Sequence, residues 1–208
     1  MRFLCLSNSF KEGGRCLAGL KMDMQNQIYK SSWVRPVYNT EHEQIPNEFA
    51  SEFEHFDIIE FDVDNDYSRN DYQSENIMVQ GNTLKKVGMV NNPSSYLKQI
   101  CENTKNKHIF GNNEKFIDEN NIQKLGYSLT LLGISNFEIT QGFHDYQRRL
   151  AFNFRGINYD LPITDSTFLM NYKQDKFILD GINEIYIILS LAVEFQSKYY
   201  KLIASILY

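Results

Sequence analysis

The 208-residue chain is poor in the residues that would name a chemistry. Its three cysteines, Cys5, Cys16 and Cys101, form an odd set with no CxxC spacing and no neighbouring histidine pair. A disulfide framework and a zinc site are thereby set aside, and reduced thiols are expected. The four histidines, His42, His55, His108 and His144, are scattered without ligand spacing, and none stands beside a candidate nucleophile. Ser7 and Ser9 lack a G-x-S-x-G context, and no pair of carboxylates falls on a common face, so hydrolase chemistry has no carrier. Long apolar runs are missing too. Residues 1–6 are apolar over too short a stretch for a signal sequence, and the closing residues 202–208 fall far below a membrane span. A cytoplasmic protein with no membrane association and no cofactor is expected.

Aromatic side chains are plentiful, with 13 Tyr and 15 Phe against one Trp and four Pro. Such side chains favour strands and bias the reading toward a mainly β fold. Charge is unevenly laid out around a net of −5. Residues 1–38 carry +4, residues 39–76 carry −11 and the remainder +2. A cationic opening is therefore followed by an acidic belt and a balanced second half, and a cationic patch is compatible with an acidic whole.

Strands are expected over residues 2–7 and 15–20, joined by the turn Lys11-Glu12-Gly13-Gly14, then over 27–38, 56–63 and 75–80. A helix with Pro93 in its first turn follows over 93–100. The polar stretch 102–121, with six Asn and a Gly, marks a boundary. Beyond it, a strand is expected over 127–134. A hairpin is expected from 147–154 and 157–163 around Arg155-Gly156, then a short helix capped by Thr164 or Asp165. A strand pair over 185–191 and 199–207 closes the chain. Two runs of about five short strands, each with one helix, outline a mainly β fold of two consecutive small β-barrels with short helices, over residues 1–104 and 105–208.

The candidate ligand-binding residues are Lys11, Gly13, Gly14, Arg15, Trp33, Arg35 and Arg149. In Gly13-Gly14-Arg15, successive backbone N–H groups can converge on a phosphate with Lys11 and Arg15 adding charge; a tight hairpin with a positive φ accounts for the same residues. Gly14 and Gly19 have P-loop spacing, but Leu20-Lys21-Met22 supplies neither the adjacent Lys nor the hydroxyl that Mg²⁺ needs. Tyr29, Trp33 and Arg35 share one face of a strand by alternation, a face able to stack a base and pair a phosphate, or else to pack a barrel core with Arg35 at its rim. Arg148 is in line with Leu150, Phe152 and Phe154, so it must lie beyond the core's edge or pair with Asp165 or Asp160. Arg149 is on the opposite face. Asp62, Asp64 and Asp66 begin like an EF-hand loop, yet Tyr67 stands where glycine is required and Gln73 where the bidentate Glu belongs, so no metal is expected.

Several segments, taken in order, resemble the bacterial dual OB-domain proteins. They include Leu4-Cys5-Leu6-Ser7-Asn8-Ser9, Gly13-Gly14-Arg15-Cys16-Leu17-Ala18-Gly19 and Trp33-Val34-Arg35-Pro36-Val37. Further matches are Ser74-Glu75-Asn76-Ile77-Met78-Val79, Arg148-Arg149-Leu150-Ala151-Phe152, Tyr159-Asp160-Leu161-Pro162-Ile163-Thr164-Asp165 and Leu189-Ser190-Leu191 with Tyr200-Lys201-Leu202-Ile203-Ala204. The resemblance implies a pair of OB-like barrels, binding of single-stranded nucleic acid or a nucleotide without catalysis, and a place among bacterial defence genes. The acidic segment 38–73 and the Asn-rich stretch depart from the pattern. They leave two other readings: an adaptor whose acidic belt contacts a basic protein partner or effector, and, behind it, a metal-dependent nuclease using the belt's carboxylates.

Overall fold

A computed structural model describes residues 1–66, 72–91, 94–101 and 108–208. The chain divides into two compact units, Met1–Ile100 and Cys101–Tyr208. The boundary expected at 104/105, the Tyr67 position of the EF-hand comparison and Pro93 fall outside the described residues.

In the first unit β1 (Arg2–Lys11), β2 (Gly14–Met22) and β3 (Ile28–Val37) form a meander, followed by α1 (Asn47–Ala50), β4 (Asp57–Glu60), β5 (Asn76–Met78) and β6 (Lys85–Met89). The sheet order is β5-β3-β2-β1-β4-β6, with β3 and β5 parallel and the other neighbours antiparallel. Beyond these elements an antiparallel bridge joins Val63 to Val79, flanked by Asp64 N–H to Met78 O at 2.9 Å and Gln80 N–H to Asp62 O at 2.8 Å. The segment 62–64 that follows β4 thus meets the end of β5 and curls the sheet back on itself, as a five-stranded OB barrel requires. Alternate residues point inward, and Phe3, Cys5, Leu17, Val34, Ile59 and Phe61 fill the interior. Phe3 and Phe61 meet edge to face at 6.0 Å.

The strand β6 is not foreseen from the sequence. It is exposed and carries Lys85 and Lys86, which pair with Glu60 (3.1 Å) and the fully buried Asp57 (2.6 Å) of β4. Arg2 adds a second partner for Glu60 at 2.7 Å, and these cations hold the Glu60 carboxyl below its ordinary range. Part of the acidic belt is therefore neutralised by strands on either side of it.

The helix α2 (Ser94–Cys101) follows. Next come β7 (Phe116–Asp118), α3 (Glu119–Ile122), β8 (Leu129–Ile134), β9 (Phe137–Gln141), β10 (Arg148–Phe154), β11 (Ile157–Pro162), α4 (Ser166–Gln174), β12 (Ile185–Phe195) and β13 (Lys198–Leu207). The second unit has two sheets, β11-β10-β9 and β7-β13-β12-β8. A parallel bridge from Ile163 to Ile203 links the end of β11 to β13. With β8 and β9 taken as one strand bent at Ser135-Asn136, this unit repeats the first: a meander, a helix after its third strand, a parallel pairing of third and fifth strands, and a fourth strand on the first. Asp165 is the residue that caps α4. Its carboxylate accepts from Phe168 N–H at 2.9 Å and from Ile206 N–H at 2.8 Å, tying the helix to β13. The three cysteines are free thiols, with Cys5 buried and burial pushing the Cys101 thiol up to about 12.

No helix among the described residues is long and apolar enough to cross a membrane.

Candidate nucleic-acid interface

The β1–β2 hairpin turns on Glu12 (φ 43°) and Gly13 (φ 77°), pairing Lys11 with Gly14 and Phe10 with Arg15. Two consecutive positive φ values make this the turn whose twist matches the strands, and glycine carries the second at no steric cost. Gly14 is required for a different reason. A Cβ there would lie 2.6 Å from the Ile45 carbonyl oxygen, because Arg15 and Ile45 exchange backbone hydrogen bonds of 2.8 and 2.9 Å. The Arg15 N–H is thus committed to protein, and the row of N–H groups foreseen for a phosphate loses its last member.

The Arg15 side chain faces outward. Its guanidinium lies 4.6 Å from the centre of the half-exposed Phe10 ring, and its Nε donates to Asn47 Oδ1 at 3.0 Å. Asn47 Nδ2 in turn donates to Gly13 O at 2.9 Å, pinning the turn to α1. Arg15 itself is half-buried, and burial lowers the pKa of its guanidinium, while the Phe10 ring keeps half of its surface in solvent. Lys11 is less available: burial lowers the pKa of its amine, and it lies in the fields of Cys16, Arg35 and Glu43.

Trp33 is half-buried on β3, opposite Leu20. Tyr29 is exposed with Lys21 Nζ 5.8 Å from its ring centre. A bulge separates the two aromatics: β2 advances from Leu20 to Met22 while β3 runs from Trp33 back to Ile28, so alternation does not carry Tyr29 into line with Trp33. Arg35 is 1% exposed. Its Nη2 meets Glu75 Oε1 at 3.4 Å and its Nη1 donates to Asn76 Oδ1 at 3.2 Å. Asn76 Nδ2 donates to Glu43 Oε2 and Gln73 Oε1, both at 2.9 Å. A guanidinium closed into such a network is buried on the face of β3 opposite that of the core residue Val34 and is shut off from solvent ligands.

Arg149 lies in the second unit, its Nε 2.9 Å from both carboxylate oxygens of Asp160, which Lys115 also approaches at 3.5 Å. The ion pair that alternation assigned to Arg148 therefore belongs to its neighbour. Arg148 instead lies at the core's edge, donating to the Asp145 and Gln147 carbonyls at 2.7 and 2.9 Å. Within the first unit the structure brings Lys11, Gly13, Gly14 and Arg15 together at the hairpin, with Trp33 and the buried Arg35 on β3; Arg149 belongs to the second unit. Phe10 is the residue that sequence reasoning missed. Its signal was present, since a two-residue turn at Glu12-Gly13 places Phe10 opposite Arg15.

A groove of about 560 Å³ opens on the acidic side of the first unit, lined by Tyr38, Phe49, Asp64, Asp66, Met78 and Asn82 among others. The rings of Tyr38 and Phe49 stack at 5.9 Å, and the Tyr38 hydroxyl donates to Asn82 at 3.2 Å. Asp64 accepts the Asp66 N–H at 3.0 Å in a local turn. Among the described residues, no group of three or more His, Cys, Asp or Glu is arranged to hold a metal ion.

No curated protein matches the chain by sequence. Among solved structures, a murine DNA-binding protein bound with double-stranded DNA is similar at 8% identity and a TM-score of 0.36, covering 97% of this chain and 89% of that one. The Ifi202 HINa domain in complex with double-stranded DNA is similar at 10% identity and 0.32, covering 97% and 90%. The tetrameric p202 HIN2 is similar at 8% and 0.30, covering 99% and 86%. Likeness at this level says nothing of what the present chain binds. A family model for the dual OB-containing domain matches residues 1–206, and the chain belongs to that family.

Proposed function

We propose that the protein is a non-catalytic binding module for single-stranded nucleic acid or a nucleotide, and that the β1–β2 hairpin is where the first barrel makes contact. One observation carries this reading: the outward Arg15 guanidinium held over the half-exposed Phe10 ring at the rim of an OB barrel. A base stacks on an exposed ring without regard to sequence, and a guanidinium pairs with the adjoining phosphate. Lys11, Gly13 and Gly14 shape and charge that tip, and Trp33 lies in the sheet behind it. Arg35 and Arg149 support the barrels through their carboxylate partners.

The test is a titration with oligothymidylate, oligouridylate and free nucleotides at two salt concentrations, following the emission of Trp33, the sole tryptophan. Saturable quenching that weakens steeply with salt is expected. Unchanged emission together with unchanged electrophoretic mobility overturns the reading. The finer expectation, service in a bacterial defence system, is supported by the family resemblance and is tested by phage plating efficiency on cells with and without the gene.

A second reading, a protein adaptor, is favoured by the groove beside Asp64 and Asp66. Two carboxylates beside stacked rings suit a lysine or arginine side chain of a basic partner. Asp64→Asn with Asp66→Asn separates the two readings, since it weakens capture of a basic peptide and leaves oligonucleotide affinity in place.

A further inference from the structure

We propose that the loop 142–147 of the second unit is a base-stacking site for single-stranded nucleic acid, with Phe143 and Tyr146 as its stacking rings. The proposal rests on the nucleic-acid reading above and adds to it a second site that depends on bases more than on phosphates.

The loop joins β9 to β10, the position in the second unit that the β1–β2 hairpin holds in the first. Its sequence, Gly142-Phe143-His144-Asp145-Tyr146-Gln147, holds three rings and no aliphatic side chain. Phe143 is 94% and Tyr146 81% exposed, the two most exposed large apolar side chains among the described residues. Burying rings of this size is strongly favourable, so a fold that leaves two of them in water at one loop forgoes a large gain.

The exposure belongs to a fixed backbone. Gly142 N–H donates to Gln147 O at 3.0 Å and Gln147 N–H to His144 O at 2.9 Å. Phe143 N–H donates to the Gln147 side-chain oxygen at 3.1 Å, and Gln141 Nε2 to Asp145 Oδ1 at 2.9 Å. From below, Arg148 holds two of the loop's carbonyls. The rings are ordered against one another as well. His144 and Tyr146 stack at 5.3 Å with planes 3° apart, and Phe143 meets His144 edge to face at 5.0 Å. Ordering that a ligand would otherwise have to impose is thus already in place.

The chemistry of the loop suits this occupant. Every nucleobase presents a face that stacks on flat exposed rings whatever the sequence, and the hydrogen-bonding neighbours of these rings can meet base edges. Charge contributes little here. Arg148 is turned into the loop, Asp145 opposes phosphate, and Arg149 with Lys115 is shared with Asp160.

The experiment uses the full chain, labelled oligothymidylate, and an abasic strand of equal length that retains the phosphates. Phe143→Ala and Tyr146→Ala are each expected to weaken oligothymidylate binding roughly tenfold, leaving abasic binding and the salt dependence as in the wild type. Phe143→Tyr and Tyr146→Phe restore affinity, because stacking needs the ring alone. Thermal melting of the exposed-site variants matches the wild type, and ring-proton resonances of the wild-type loop shift upfield as oligothymidylate is added. Alanine variants that bind oligothymidylate as tightly as the wild type overturn the proposal, as does an equal loss of abasic binding or an absence of ring-proton shifts. If Phe10→Ala and Arg15→Ala weaken binding while the loop variants do not, this site falls and the first-barrel reading stands. The reverse pattern supports the loop and removes the first hairpin. A wild type that binds neither probe overturns both.

Discussion

In the first unit the hairpin between strands one and two turns on two residues, and the Arg15 guanidinium covers the Phe10 ring. In the second unit the matching hairpin takes residues 142–147, its rings stand clear of the surface, and its arginine, Arg148, faces back into the loop. The same strand order has thus been fitted with opposite arrangements of cation and ring. A short turn keeps cross-strand neighbours in contact, so a cation opposite an aromatic must stack on it. A longer loop has carbonyls of its own to satisfy and draws the cation inward, which frees the rings. Loop length therefore divides the labour between charge and stacking without any change in the barrel.

The barrels' arginine pairs differ in the same instructive way, and the difference is large enough to measure first. Arg35 and Glu75 are both almost fully buried, whereas Arg149 and Asp160 are 19% and 40% exposed. Arg35→Glu leaves two carboxylates facing each other in a closed site and is expected to cost about 3–5 kcal/mol, seen as an early denaturant transition in Trp33 emission. Arg149→Ala removes a solvent-screened pair and is expected to cost less than about 1 kcal/mol. Equal losses would mean that burial does not separate the two pairs.

Next in size is the effect on binding. Arg15→Ala is expected to reduce the slope of log affinity against log salt by about 0.7, one phosphate contact on a single strand. Phe143→Ala lowers affinity with the slope intact. Measuring both variants across a salt series breaks the comparison if the slopes move together.

Much of this architecture was legible in the sequence. The Lys11-Glu12-Gly13-Gly14 and Arg155-Gly156 turns marked two hairpins, and of the two cap candidates Thr164 and Asp165 it is Asp165 that starts α4. What escaped depends on contacts distant in sequence. The strand β6, with Lys85-Lys86-Val87-Gly88-Met89, has no buried face of its own and exists because β4 offers it hydrogen bonds and the Asp57 carboxylate. The strand β9 was hidden by the bend at Ser135-Asn136, although Phe137-Glu138-Ile139-Thr140-Gln141 alternates well. Arg35 looked like a rim residue because its partner, Glu75, lies forty positions away, and nothing local announces that the two meet in a buried network. The exposure of Phe143 and Tyr146 was likewise unreadable, since an aromatic residue in a sequence is by default a core residue.

The smallest predicted effect contrasts the buried cations themselves. Arg35 faces a carboxylate, but Lys201 of β13, also fully buried, has neutral partners: its Nζ donates to Asn112 O at 2.9 Å and Asn112 Oδ1 at 2.7 Å, and lies 5.4 Å from the Tyr159 ring centre. Burial therefore pushes its amine down from 10.5 to about 8, with only the charge of Glu114 acting in the other direction. Below pH 8 the lysine is charged in both folded and unfolded chains and stability does not change through it. From about 8 upward the folded chain gives up the proton while the unfolded chain keeps it, so stability rises with pH. The Cys101 thiol, raised from 9 to about 12, works the opposite way and begins to withdraw stability above pH 9 as unfolded thiols ionise. The window for Lys201 is thus pH 8 to 9, with a gain of about 1 kcal/mol at most. Urea midpoints at pH 7, 8 and 9 should rise in the wild type relative to Lys201→Met, which removes the titrating group. Parallel midpoints in the two proteins would show that Lys201 keeps its proton through this range, and that neutral carbonyl partners hold a buried cation as firmly as the Glu75 carboxylate holds Arg35.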